Sequence, residues 1–97
     1  MWERNLKVVI ELFGLARYLV GRKEIRLDLP EDATLRDVVA RLASQTKELI
    51  GQVIDGKRME LIEPYSLNIN GQYVARDLSM KVNEDDRILL LFTAVGG

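Results

Sequence analysis

The sequence predicts an α+β domain in which one main helix packs on a mixed β-sheet. Three observations carry that reading. Two segments, EIRLDL (residues 24–29) and YSLNIN (residues 65–70), alternate apolar and polar side chains with the period of a half-buried strand. Leu35, Val38, Val39 and Leu42 recur at i, i+3, i+4 and i+7, the stripe of an amphipathic helix. The last segment, RILLLF, is apolar on both faces, which suits a strand in the middle of a sheet.

Each element follows in order. LKVVIELF (residues 6–13) reads as the first strand, with Leu6, Val8, Ile10 and Leu12 on one face and Lys7, Val9, Glu11 and Phe13 on the other. Gly14 ends it, and LARYLVG is a turn or short helical stretch closed by Gly21. In the second strand Ile25, Leu27 and Leu29 face inward, and the two strands form an antiparallel pair. Pro30 stops the second strand. Thr34 is a good N-cap and Asp37 completes a capping-box pattern at the start of the helix. Residues 46–64 are the least periodic; Leu49, Ile50, Val53 and Ile54 suggest a short second helix, Asp55-Gly56 a turn, and RMELIEP an extended run to Pro64. Asn70-Gly71 is the strongest hairpin signal, with Tyr73 and Val74 returning on opposite faces. RDLSMKVNEDD is a loop anchored by Leu78 and Val82, and the final strand follows.

Ninety-seven residues suit one domain, with a C-terminal tail over residues 93–97. The apolar fraction of 47% and charged fraction of 30% are those of a globular chain. A net charge of −1 carries no electrostatic footprint for nucleic acid or an anionic membrane. With no cysteine and no histidine, disulfides, thiolate chemistry, Cys/His metal sites and His-based triads are all excluded. A fold standing on packing alone fits a cytoplasmic protein. Charges at Glu3, Arg4, Lys7 and Glu11 interrupt any run long enough for a signal or membrane segment. Asn83–Asp86 lacks the glycine and spaced ligands of a calcium loop and reads as a solvated turn, with no metal site expected. Arg17, Arg22, Lys23, Lys57 and Arg58 are scattered surface charges, Arg17 close enough to Phe13 to steer an acidic partner. No carboxylate pair is spaced for acid–base work, and Trp2 reads as terminal packing.

The stretches ELFGLARYLVG, LDLPEDATLRDVV, LNINGQYV and DDRILLLFTAVGG, in that order, resemble the MoaD/ThiS family of ubiquitin-like sulfur carriers. The resemblance spans nearly the whole chain outside residues 46–64. It implies a β-grasp fold, in agreement with the element order. It also implies that the chain is a carrier or co-substrate and not an enzyme, or the small subunit of a synthase. An E1-like adenylyltransferase of the MoaB/ThiF type would adenylate the Gly97 carboxylate with ATP, and a sulfur donor would convert it to a thiocarboxylate. The chain itself would bind no cofactor. The large subunit of molybdopterin synthase would be a further partner. Three features depart from the pattern: the tail is FTAVGG without a Pro-Pro, NEDD stands where Asp-Gly-Asp is common, and residues 46–64 are extra relative to the thiamin-type carriers.

The residue types of the tail suit such a role. Gly96 and Gly97 lack a Cβ and can pass a narrow channel. Thr93, Ala94 and Val95 are small or β-branched and favour an extended lead. Strand parity sends Ile88, Leu90 and Phe92 to the helix side and Leu89 and Leu91 to the other face. There they would join Val9, Phe13 and Tyr73 in an apolar docking patch, unless residues 46–64 fold over it. Molybdopterin synthesis is the expected pathway. A thiamin-type carrier, a modifier joined to lysines through Gly97, and a non-reacting binding subunit remain alternatives.

Overall fold

In the computed structural model, residues 5–93 are described. Trp2, Ala94, Val95, Gly96 and Gly97 lie outside the described residues. The elements are β1 (Asn5–Leu12), α1 (Gly14–Val20), β2 (Glu24–Pro30), α2 (Leu35–Gln45), a 3₁₀ turn (Lys47–Leu49), β3 (Ile54–Asp55), β4 (Glu60–Leu61), β5 (Tyr65–Ile69), β6 (Tyr73–Val74) and β7 (Arg87–Phe92). Five strands form one sheet in the order β2-β1-β7-β5-β6, and β3-β4 form a separate pair. β1 runs antiparallel to β2 and parallel to β7, and β7 is antiparallel to β5. The result is the mixed sheet of a β-grasp, with the doubly apolar last strand at its centre.

One face of the sheet supplies Val8, Ile10, Leu27, Leu67, Ile88 and Leu90 to the core, each no more than 2% exposed. The helix stripe Leu35, Val38, Val39 and Leu42 covers them, fully buried. Arg36, Asp37, Arg41 and Ser44 stay exposed on the other side of α2. The start of α2 is capped as the sequence predicts: Asp37 accepts the Thr34 N–H at 2.8 Å. Two further N–H groups of the first turn, on Leu35 and Arg36, donate to the carbonyls of Met80 and Leu78 at 2.9 Å each. The loop after β6 therefore closes the helix end, with Val82 buried and Leu78 half-buried as its anchors.

Residues 46–64 differ from expectation. No second α-helix forms there; a 3₁₀ turn and the small β3-β4 hairpin take its place. Gly51 between the expected apolar positions has φ +88°, which an α-helix does not admit. Leu49, Val53 and Ile54 are nevertheless fully buried in the same core, on the helix side. The segment thus adds to the core and does not cover the opposite face of the sheet. The Asn83–Asp86 turn also differs in part. Asp86 is 8% exposed, accepting the Asn83 N–H at 2.8 Å and the Asn70 side-chain amide at 3.0 Å. It fastens the β5-β6 turn to the start of β7. Among the described residues, no cluster of three acidic side chains could hold a metal ion.

On the face away from α2, the guanidinium of Arg87 on β7 donates to Glu11 on β1 and, at 2.8 Å, to Glu24 on β2. One cation thus bridges three neighbouring strands. The hydrogen bond from Arg87 holds the Glu24 carboxyl below the usual carboxylate range.

Two predictions follow from this packing. Leu90→Ala removes a side chain 1% exposed at the centre of the sheet. It is expected to lower unfolding free energy by about 2–5 kcal/mol in urea titrations. Glu24 has a lowered pKa in the folded state, so its stabilisation is present above its unfolded pKa, about 4.3, and is lost as pH falls through the folded value. The stability difference between wild type and Glu24→Gln, measured in urea, is therefore expected to persist near about pH 7 and to shrink toward about pH 3. An equal difference at both would place its origin elsewhere than in the Glu24 charge.

Candidate functional site

β7 carries the C-terminal segment out of the sheet, and its last turns of alternation define the site. Ile88 and Leu90 are buried under α2, while Leu89 and Leu91 are half-buried and stand outside the core cluster. Cross-strand neighbours share a face, so the register fixes what surrounds them. Leu89 lies between Glu11 on β1 and Asn68 on β5, and Asn68 pairs in turn with Val74 on β6. Leu91 lies opposite Ser66. Phe13 continues the outward parity of β1 in an extended conformation and is 41% exposed. The apolar strip on this face is therefore Phe13, Leu91, Leu89 and Val74, with Asn68 as a polar interruption. Asn68 Oδ1 is buried without a hydrogen-bond partner, a cost of about 1–3 kcal/mol.

Three expected placements are corrected. Tyr73 pairs with Ile69, which points to the helix side, so Tyr73 does not join Leu89 and Leu91. Val74 occupies that row in its place. The cause is Gln72. A two-residue Asn70-Gly71 loop would pair Ile69 with Gln72; here Gln72 is an extra loop residue and Ile69 pairs with Tyr73. A shift of one residue moves every side chain to the opposite face. Val9 is the second correction. It is flanked by Arg26 and Arg87 in the register, so the strip does not extend along β1. Phe92 is the third. Its parity is inward, yet it is 59% exposed, because the pairing of β1 with β7 ends at Leu12 and Leu90. Its ring meets the edge of Tyr65 at 5.1 Å between centroids. A wet position for Phe92 was detectable from sequence only through the length of β1.

The strand does not fray at Phe92. The Thr93 N–H donates to the Pro64 carbonyl at 2.9 Å, and the Thr93 hydroxyl donates to the same oxygen at 2.8 Å. The two hydroxyls of Thr93 and Ser66 lie 3.2 Å apart. Thr93, the last of the described residues, is thus fastened to the chain at Pro64. Phe13 and Leu91 lie on one side of this point and Phe92 and Tyr65 on the other. The expected lead residues Ala94 and Val95 and the diglycine Gly96-Gly97 follow, outside the described residues. No helix among the described residues is long and apolar enough to cross a membrane.

A β-grasp sheet of this kind also occurs in known proteins. The ThiS family pattern matches residues 10–97 of the chain. The molybdopterin synthase sulfur carrier subunit of Dictyostelium discoideum is 27% identical over 89 residues, covering 91% of this chain and 93% of that protein. Among solved structures, SAMP1 of Haloferax volcanii superposes with a TM-score of 0.80 at 25% identity, covering 94% of this chain and 99% of that one. The BexX/CysO complex of Amycolatopsis orientalis shares the fold, with a TM-score of 0.67 at 17% identity over 93% of this chain and 99% of that one. Because the pattern runs over nearly the full sequence, this chain belongs to the ThiS family of ubiquitin-like sulfur carriers and modifiers.

Proposed function

We propose that this protein carries sulfur as a thiocarboxylate on Gly97. The observation that supports it best is the apolar strip beside Thr93, itself fastened to Pro64, in a chain whose family match runs through Gly96 and Gly97. The chemistry divides between chain and partners. The chain has no cysteine or histidine to act as a nucleophile. Its part is to present a carboxylate on a slim lead. Four residues beyond Thr93 reach at most about 14 Å, enough to enter a neighbouring active site when the strip is docked against it. In that site an oxygen of the Gly97 carboxylate attacks the α-phosphorus of ATP, and pyrophosphate leaves. Hydrosulfide released by a sulfur donor then attacks the acyl carbon, AMP leaves with its pair of electrons, and loss of the S–H proton to solvent leaves the thiocarboxylate.

Phe13, Leu91, Leu89 and Val74 are the proposed contact with the adenylating enzyme, and the same face would later meet the protein that consumes the sulfur. The name of the Dictyostelium relative favours molybdopterin synthesis as the destination, with the synthase large subunit as the second partner. The second reading is a modifier joined to lysines through Gly97. It is favoured by the 0.80 TM-score to SAMP1, the small archaeal modifier protein 1 of Haloferax volcanii, with coverage of nearly all of both chains.

The test is adenylation in vitro. With the host's E1-like adenylating enzyme and ATP, the chain is expected to stimulate pyrophosphate release, and a variant lacking Gly97 is expected not to. Leu89→Asp is expected to stay folded with a lowered urea midpoint, since Glu11 lies directly opposite, and to weaken docking by about 10–100-fold, the value of burying one leucine. Adenylation of Leu89→Asp at the wild-type rate and affinity would remove the strip from the proposal.

A further inference from the structure

Beside Phe13 the surface dips into a small cleft of about 190 Å³, lined by Glu11, Leu12, Phe13, Arg17, Lys23 and Glu24. Its two acids and two cations balance in number but are not paired with one another. Glu11 and Glu24 are both bonded to Arg87. Among the described residues, no carboxylate lies within 4.0 Å of Arg17, Arg22 or Lys23. With Arg87 counted, the cleft carries one net positive charge, and two with Arg22. The local sequence has the same bias: residues 12–23 include three cations and no acid, in a protein whose net charge is −1. Arg17 in the last turn of α1 faces the negative end of that helix, which accounts for one of these cations but not for three. Apolar groups border the same cations, with Phe13 at 41% and Tyr18 at 83% exposure.

We propose that this cleft receives a carboxylate-bearing segment of the adenylating partner, and that Arg17 and Lys23 steer that partner onto the apolar strip. The inference rests on the docking reading above. The arrangement separates two tasks. Leu89 and Leu91 supply contact area once the proteins touch. Arg17, Arg22 and Lys23 form a positive pole at one edge of that area, which raises the rate of correctly oriented encounters with an acidic patch. Because Glu11 and Glu24 are held by Arg87, they do not compete for the cations. Long-range attraction of this kind is screened by salt, with a Debye length of about 10 Å at 0.1 M.

The test is stopped-flow association of the full chain with the host's adenylating enzyme at low and high salt. Arg17→Gln/Lys23→Gln is expected to associate about tenfold more slowly than wild type at low salt, with the difference vanishing at about 0.5 M salt and the dissociation rate little changed. Arg17→Glu/Lys23→Glu, which changes the charge by twice as much, is expected to be slower still, and both variants are expected to remain folded in urea titrations. Wild-type association rates for both variants at low salt would overturn the inference while leaving the strip intact. A loss that is the same at all salt concentrations would also overturn it, since it would mark packing and not charge. Failure of the unchanged chain to associate would overturn the docking reading and this inference together.

Discussion

The position of β7 between β1 and β5 is the constraint on which the rest depends. A strand paired on both edges has only its two faces to offer. One face, through Ile88 and Leu90, closes the core beneath α2. The other, through Leu89 and Leu91, is the centre of the exposed strip. The same strand delivers the C-terminal segment, so the tail root and the strip cannot move independently. The hydrogen bonds from Thr93 to Pro64 extend this rigidity one residue beyond the strand. A partner that grips the strip therefore receives the tail at a fixed point.

The face away from the helix is divided in character. Toward β2 it is charged, with Arg87 holding Glu11 and Glu24 across three strands. Toward β5 and β6 it is apolar, with Leu89, Leu91 and Val74. This division keeps the apolar area small enough for an unpartnered surface, and large single patches are unusual without a partner. It also gives the surface a direction, since the charged side and the tail root lie in different places relative to the strip. The buried, unpaired Asn68 Oδ1 is a local cost inside the strip. An apolar residue there would pack better with Leu89 and Val74, and nothing else among the described residues explains the asparagine.

Much of this was legible in the sequence, and the exceptions have physical reasons. Period-two alternation gave β2 and β5, the i, i+3, i+4 stripe gave α2, and the Thr34–Asp37 pair marked its start. The apolar run 88–92 indicated a central strand, since only such a strand can bury both faces. What escaped was register and strand length. The hairpin signal at Asn70-Gly71 was sound, but Gln72 is a third loop residue, and that single shift exchanged Tyr73 for Val74. Phe92 followed its parity yet ended exposed, because parity says nothing about where a neighbouring strand stops. Residues 46–64 kept their apolar residues in the core without the expected helix, since Gly51 takes a backbone conformation outside the α region. Local pattern sets which side a residue faces only once pairing is known, and pairing is a tertiary property.

The central claim is that the chain carries sulfur as a thiocarboxylate on Gly97. The most direct measurement is intact mass spectrometry of the protein purified from its own host, with a parallel search for larger adducts. The account expects a species in which one oxygen is exchanged for sulfur, absent when Gly97 is deleted. Gly-Gly remnants on the lysines of other proteins, with no such species, would contradict it in favour of the modifier. The unmodified chain alone, even after supply of the adenylating enzyme, ATP and a sulfur donor, would contradict it outright.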